Sequence, residues 1–159
     1  MKVTVACVGK IKEKYFTDAI KEYSKRLSRY ITLEIAEVPD EKCPESLSDK
    51  QAEQVKSAEG ERLLRVIKDG SYVIALAIDG KKYTSEGFSS LFSESMVKGI
   101  SHITFVIGGS LGLADKVLKR ADSKISFSDM TFPHQLMRVI LLEQVYRAYR
   151  IIKNEPYHK

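Results

Sequence analysis

Three short segments carry groups suited to chemistry. The first is Gly108-Gly109-Ser110-Leu111-Gly112-Leu113. Glycines at this density let backbone approach a ligand closely and reach positive φ. The segment is either a cofactor cradle or a tight strand-to-helix turn. A dinucleotide fingerprint is one version of the cradle, with Asp129 about twenty residues on. Its spacing, G-G-x-x-G, and its late place in the chain do not match that fingerprint. The second segment is Ser126-Phe127-Ser128-Asp129-Met130-Thr131-Phe132-Pro133-His134-Gln135. Its amides and hydroxyls suit the edge of a purine, with Phe127, Met130 or Phe132 against the ring. It serves equally as an ordinary helix start, with Pro133 in the first turn and Thr131 or Phe132 as cap. A first-turn histidine such as His134 is more often structural than catalytic. The third segment is the end, Tyr157-His158-Lys159. It supplies an aromatic platform, a group that titrates near neutrality and a cation, or else a frayed terminus.

The motifs of familiar hydrolases are absent: there is no G-x-S-x-G, no H-E-x-x-H and no G-x-x-x-x-G-K-[ST]. His102, His134 and His158 fall on separate elements, which does not suggest a metal.

The elements around these segments alternate. Residues 2–8 read as a strand. Residues 12–29 place Tyr15, Phe16, Ala19, Ile20, Tyr23 and Leu27 on one helical face, with Lys14, Lys21, Lys25 and Arg29 opposite. Residues 31–38 alternate with period two. Pro39-Asp40 ends them, and residues 40–47 read as a loop. Ser48 with Gln51 has capping-box spacing and opens a helix to about residue 68, weakened around Gly60. Residues 72–78 form a continuous apolar strand, ended by a turn at Asp79-Gly80-Lys81. A helix at 85–96, a strand at 103–107, a short helix near 114–120, a strand at 123–127 and a helix from Pro133 to about 153 complete the order. This alternation predicts an α/β fold, a mainly parallel sheet with helices on both faces. No linker divides residues 1–159, so a single domain is expected. In open α/β sheets the ligand crevice lies beyond the carboxyl ends of the strands. Residues 78–80, 108–113 and 127–132 all fall at such ends.

The last helix is too apolar for a single stripe. Leu136, Met137, Val139, Ile140, Leu141, Leu142, Val145, Tyr146, Ala148, Tyr149, Ile151 and Ile152 leave a face needing a second cover. A second copy of the chain is the expected cover, giving a two-fold homodimer through this helix. Glu143 and Arg147 form a favourable i,i+4 pair, while Arg138 or Arg150 is expected to face an anionic substrate.

Composition narrows the class. A chain of 159 residues with 43% apolar side chains can bury a core without staples. Cys7 and Cys43 form no disulfide framework or zinc motif. The longest apolar run, from Val73 to Ile78, cannot span a bilayer. The apolar start is short, and Lys10, Lys12 and Lys14 follow it, the wrong order for a signal peptide. A cytoplasmic protein without membrane contact is expected. The net charge of +5 favours an anionic partner.

Taken together, several segments resemble the ribosomal RNA large subunit methyltransferase H family, small SPOUT-class enzymes. They are Val8-Gly9-Lys10, Phe105-Val106-Ile107-Gly108-Gly109-Ser110-Leu111-Gly112-Leu113, Met130-Thr131-Phe132-Pro133-His134-Gln135 through Arg138, Glu143-Gln144-Val145-Tyr146-Arg147-Ala148 and Pro156-Tyr157-His158-Lys159. The likeness spans the whole chain. Leu111 departs from it, being apolar where a polar loop tip is expected. The resemblance implies a C-terminal trefoil knot (the SPOUT, α/β-knot fold) whose loops bind S-adenosylmethionine. It implies cofactor contacts at Leu76, Gly108, Phe127, Ser128, Asp129, Met130, Thr131 and Phe132. It implies methylation of N3 of a pseudouridine in 23S rRNA within the assembled ribosome, by a homodimer. The tail, Tyr157, His158 and Lys159, would help form the catalytic pocket. His158 is then the candidate general base, Tyr157 a stacking or orienting group, and Arg138 a substrate-facing cation. Lys14, Lys21, Lys25, Arg138 and Arg150 would hold RNA backbone. Two other readings stay open: a nucleotide-cofactor enzyme of another class, and a non-catalytic ribosome-associated factor.

Overall fold

A computed structural model describes residues 1–158. Five strands form one parallel sheet in the order β2-β1-β4-β3-β5. They are β1 (Lys2–Val8), β2 (Thr32–Val38), β3 (Tyr72–Lys82), β4 (His102–Ile107) and β5 (Ser123–Ser126). The helices between and after them are α1 (Lys14–Leu27), α2 (Asp49–Val66), α3 (Ser85–Val97), α4 (Asp115–Arg120) and α5 (His134–Ile152).

The two faces follow from strand alternation. Val3, Val5 and Cys7 of β1 and Ile103, Phe105 and Ile107 of β4 point into one apolar cluster. Leu27, Phe88, Phe92, Leu141, Leu142 and Val145 cover it from α1, α3 and α5. Ala6, Val8 and Val106 point the other way, under Leu63 of α2 and Val117 of α4. The expected helices on both faces are present. The capping box at α2 is also formed: Gln51 N–H donates to Ser48 Oγ, and Ser48 N–H to Gln51 Oε1 at 2.9 Å. Gly60, which interrupts the apolar pattern of α2, has a packing reason. A Cβ there would lie 2.9 Å from that of Ala114, so the glycine lets the chain before α4 approach α2.

Two expectations are corrected. The last helix begins after Pro133, which itself occupies the cap position with φ −53° and ψ 134°; neither Thr131 nor Phe132 does. Proline's fixed φ and missing N–H suit a helix entry. The turn at Asp79-Gly80-Lys81 is instead the far end of β3, which passes β5 twice. Leu76 is in register with Ile125, and so is Lys81, with residues 77–80 thrown out between them. An Asp-Gly pair reads as a turn locally, but here it forms the bulge of a longer strand. The bulge leaves Ile78 69% exposed, and Asp79 pairs with Lys124 at 2.6 Å.

Gly80 makes the second pass possible. A Cβ at Gly80 would lie 2.4–2.7 Å from the backbone C, Cα and N of Ile125. Backbone cannot yield as a flexible side chain does. Gly80→Ala is therefore expected to destabilise the fold by roughly 1–3 kcal/mol, toward the top of the overpacking range. A fall in the urea midpoint measures it.

Candidate active site

The carboxyl ends of β3, β4 and β5 enclose a cleft of about 410 Å³. Leu76, Ala77 and Ile78 form one wall, and residues 107–112 at the end of β4 form the next. Residues 126–128 and 130–132 form the third, with His134 and Met137 of α5 closing the base. Every cofactor residue expected from the sequence lines this cleft except Asp129. Asp129 is outside the lining and pairs with Lys82 at the surface. His134 and Met137 add to the set; their spacing of one helical turn was the available signal.

The glycine loop is a tight turn, with Gly112 N–H bonded to Gly109 O at 3.1 Å and Gly112 at φ +83°. Gly108 needs its hydrogen for space: a Cβ would lie 2.6 Å from Gly112 C. The loop that follows β5 is held by its own side chains. Ser128 Oγ accepts from Met130 N–H at 3.0 Å, and Ser126 Oγ–H donates to Ser128 O at 3.1 Å. Met130, 75% exposed, stands at the rim.

The walls are apolar, hydroxylic or plain backbone, and among the described residues no Lys, Arg, Asp or Glu lines the cleft. Among them, His134 is its one titratable side chain. Burial first, and the nearby Arg138 cation second, hold its pKa below the usual histidine value, against an opposing pull from Asp40. The wall is thus kept neutral at neutral pH.

Arg138 does not meet the substrate expectation. It is 1% exposed. Its guanidinium pairs with Glu37 at 2.8 Å and donates to the carbonyls of Val8 at 2.5 Å and Gly9 at 2.7 Å. It ties the start of α5 to the ends of β1 and β2, and so steadies the loop that α5 anchors. A fork with several donors does this where a single ammonium cannot. Arg150 is also committed, to Glu155 at 2.6 Å and Pro156 O at 2.9 Å.

The tail is folded onto its own chain. Asn154 turns it back at φ +53°. Tyr157 O–H donates to Glu143 at 3.1 Å, and the Arg147 guanidinium lies 4.7 Å over its ring. Arg147 and Glu143 form the expected pair at 2.6 Å. His158 Nε2 lies 2.7 Å from Glu86 of α3, and its Nδ1 lies 3.3 Å from Arg147. Burial, reinforced by Glu143, pushes the Tyr157 phenol up to about 12, so it stays protonated. Tyr157 and His158 line neither this cleft nor its neighbour described below. Lys159 lies outside the described residues. Glu86 carried no signal in the sequence, because only the folded tail reaches it.

Behind the glycine loop sits Glu59 of α2, 4% exposed. Its Oε1 accepts from Glu41 N–H at 3.0 Å, and Oε2 has no partner among the described residues. Oε2 would lie 2.8 Å from a Cβ at Gly109, which explains a glycine there.

A parallel α/β sheet with a glycine-lined, uncharged cleft at its carboxyl ends defines a small cofactor-binding α/β enzyme. A family model described as "Predicted SPOUT methyltransferase" matches residues 1–158, and the chain belongs to the SPOUT methyltransferase family. It is 61% identical over 159 residues to ribosomal RNA large subunit methyltransferase H 1 of Clostridium perfringens, covering all of both chains. It is 60% identical, again over the full length of both, to ribosomal RNA large subunit methyltransferase H of Bifidobacterium adolescentis. Among solved structures, a probable methylase family protein of Haemophilus influenzae shares the fold at TM-score 0.56 and 11% identity, over 99% of this chain and 70% of that one. A putative methyltransferase of Legionella pneumophila, solved with SAM bound, aligns at TM-score 0.51 and 12% identity, over 94% of this chain and 66% of that one.

Burial raises the Glu59 carboxyl above its ordinary range. The folded chain therefore holds that proton more tightly than the unfolded one, and stability falls as pH rises through the range. Glu59→Gln is expected to raise the thermal midpoint above wild type at about pH 8 and to lose that advantage at about pH 4. Thermal melts at the two pH values check it. Arg138→Met strands Glu37 and two carbonyls, and is expected to cost roughly 3 kcal/mol in urea unfolding.

Proposed function

We propose that the protein is an S-adenosylmethionine-dependent methyltransferase acting on N3 of a pseudouridine in 23S ribosomal RNA. The observation that carries the cofactor is the cleft itself. A dinucleotide brings a pyrophosphate, for which this lining has no cation among the described residues, and its expected ribose partner, Asp129, is turned to Lys82. S-adenosylmethionine carries no phosphate. Leu76, Phe127, Met130 and Phe132 suit its adenine ring, the glycine loop and the Ser128 and Thr131 hydroxyls its polar edges, and a neutral His134 does not repel its cation. The RNA substrate is supported by full-length likeness to relatives named as rRNA large subunit methyltransferases.

Bound there, the cofactor supplies a methyl group already activated on a sulfonium sulfur. The protein's part is to orient the acceptor and to take its proton. The Glu86 carboxylate faces Nε2 of His158, which favours the tautomer protonated on Nε2, and Nδ1 accepts from the Arg147 guanidinium, so the imidazole takes the acceptor's proton only once Nδ1 is released from Arg147. Tyr157, locked as a neutral phenol against Glu143, holds the tail in place. Arg138 holds the cofactor loop through α5 and takes no part in substrate contact. Of the proposed backbone-binding cations, Lys21 and Lys25 sit on the exposed side of α1, whereas Lys14 pairs with Asp18.

The finer architecture follows the same reading. Residues 1–159 act as one domain whose C-terminal part is tied in a trefoil knot, a reading that rests on membership of the SPOUT methyltransferase family. Two copies pair through α5. Part of its apolar surplus is absorbed by α1 and α3, and half-buried Leu136 and Val139 remain for the second copy. No described helix is long and apolar enough to cross a membrane, and the assembled ribosome in the cytoplasm is the proposed setting.

Labelled methyl transfer to ribosomes and to free rRNA, with mapping of the modified nucleotide, tests the proposal. Incorporation at N3 of a pseudouridine is expected. Binding of NAD in place of S-adenosylmethionine, or ribosome binding with no incorporation, would count against it. In calorimetry Gly108→Leu should lose the cofactor while keeping the pairing of subunits. Deletion of residues 157–159 should spare cofactor binding and abolish transfer.

A further inference from the structure

A second cavity, of about 280 Å³, opens between the start of α3, the end of β5 and α5. We infer that it is the seat of the acceptor base, a uracil-type ring turned out of its RNA stack, held by Tyr83 and Phe132 and read by Gln144. The inference rests on the methyltransferase reading and names the substrate subsite beside the cofactor cleft.

Contact with the cofactor cleft is the first argument. Ile125, Ser126, Phe127 and Phe132 belong to the walls of both cavities. The two cavities therefore share a wall, which sets an acceptor site next to the donor site. The second argument is the lining. Tyr83, Phe88, Phe127 and Phe132 offer aromatic surface, and among the described residues no charged side chain lines the cavity. Such walls take the π-face of a neutral base and offer nothing to a phosphate.

Gln144 supplies the third argument. Ser85 Oγ–H donates to its Oε1 at 3.0 Å, and its Nε2 donates to Glu143 at 2.7 Å. These bonds fix the amide's orientation and leave one acceptor lone pair and one N–H. A uracil edge presents C=O and N–H groups side by side and matches that pair. The tail supplies the fourth. Ser85 and Gln144 line the cavity, and the residues next to them, Glu86 and Glu143, hold His158 and Tyr157. The tail is therefore fastened to the same two helices, α3 and α5, that wall the cavity.

The test is labelled methyl transfer from S-adenosylmethionine to ribosomes by Tyr83→Ala, Tyr83→Phe and Gln144→Leu, with calorimetry and sedimentation of each. Tyr83→Ala and Gln144→Leu should each lose about tenfold or more in kcat/KM for ribosomes, with cofactor affinity and sedimentation as in wild type. Tyr83→Phe keeps the ring and should retain transfer. Unchanged transfer by both disrupted variants would overturn the pocket while leaving the methyltransferase reading standing. A wild type that methylates no ribosomes would overturn the reading and the pocket with it. Subunits that separate while kcat/KM holds would reassign the cavity to the interface and overturn the inference.

Discussion

The close pass of β3 over β5 is the constraint on which the rest depends. One residue of β5, Ile125, is met by Leu76 and again by Lys81, and the backbone gap is only wide enough for a glycine at 80. Because the strands meet twice, residues 77–80 must bow outward, and that bow becomes a wall of the cofactor cleft. The chain leaving β5 emerges beside it and supplies the opposite wall. The glycine loop after β4 closes the third side. A cleft built this way is lined by backbone and apolar side chains because strand ends and short loops furnish it.

Charge is placed around the cleft and kept out of it. Arg138 spends its guanidinium on Glu37 and two carbonyls, Asp129 on Lys82, and Arg150 on the tail. Burial of His134 beside Arg138 keeps that wall neutral. Glu59 is the exception, a desolvated carboxyl pressed behind Gly109. The desolvation cost is accepted where the carboxyl orders the Glu41 amide and backs the loop. A neutral cleft suits a cationic sulfonium donor, since a fixed positive charge beside the sulfonium would repel it and the donor carries no phosphate to be held by one.

Helix α5 joins the separate parts. Its first turn anchors the loop after β5, its buried stripe of Leu141, Leu142, Val145 and Ala148 packs on the sheet, and Glu143 and Arg147 fasten the tail. A single rigid rod thus sets the distance between the cofactor cleft, the neighbouring cavity and His158. This explains why the helix carries more apolar and more charged residues than one amphipathic stripe can hold.

Much of this was legible in the residues alone. Alternating periods named the strands and helices, the capping box marked the start of α2, and glycine density at a strand end marked a close-packed turn, because these signals are local. The resemblance named a set of expected cofactor contacts, and all of them but Asp129 line the cleft. The fate of long polar side chains was not legible. Arg138 read as a substrate cation because its type and place allowed it, yet its partners, Val8, Gly9 and Glu37, lie about a hundred residues or more away in sequence. Glu86 likewise met His158 only once the tail had folded back. Asp79-Gly80 carried a turn signal that the strand crossing overrode. Sequence by itself determined the order of elements, the two-sided core and the glycine turn after β4, since these depend on neighbours along the chain. Only the tertiary structure decided the double pass at Ile125, the burial of Arg138 and the cavity beside Gln144, since these arise from backbone and side chains brought together across the sheet.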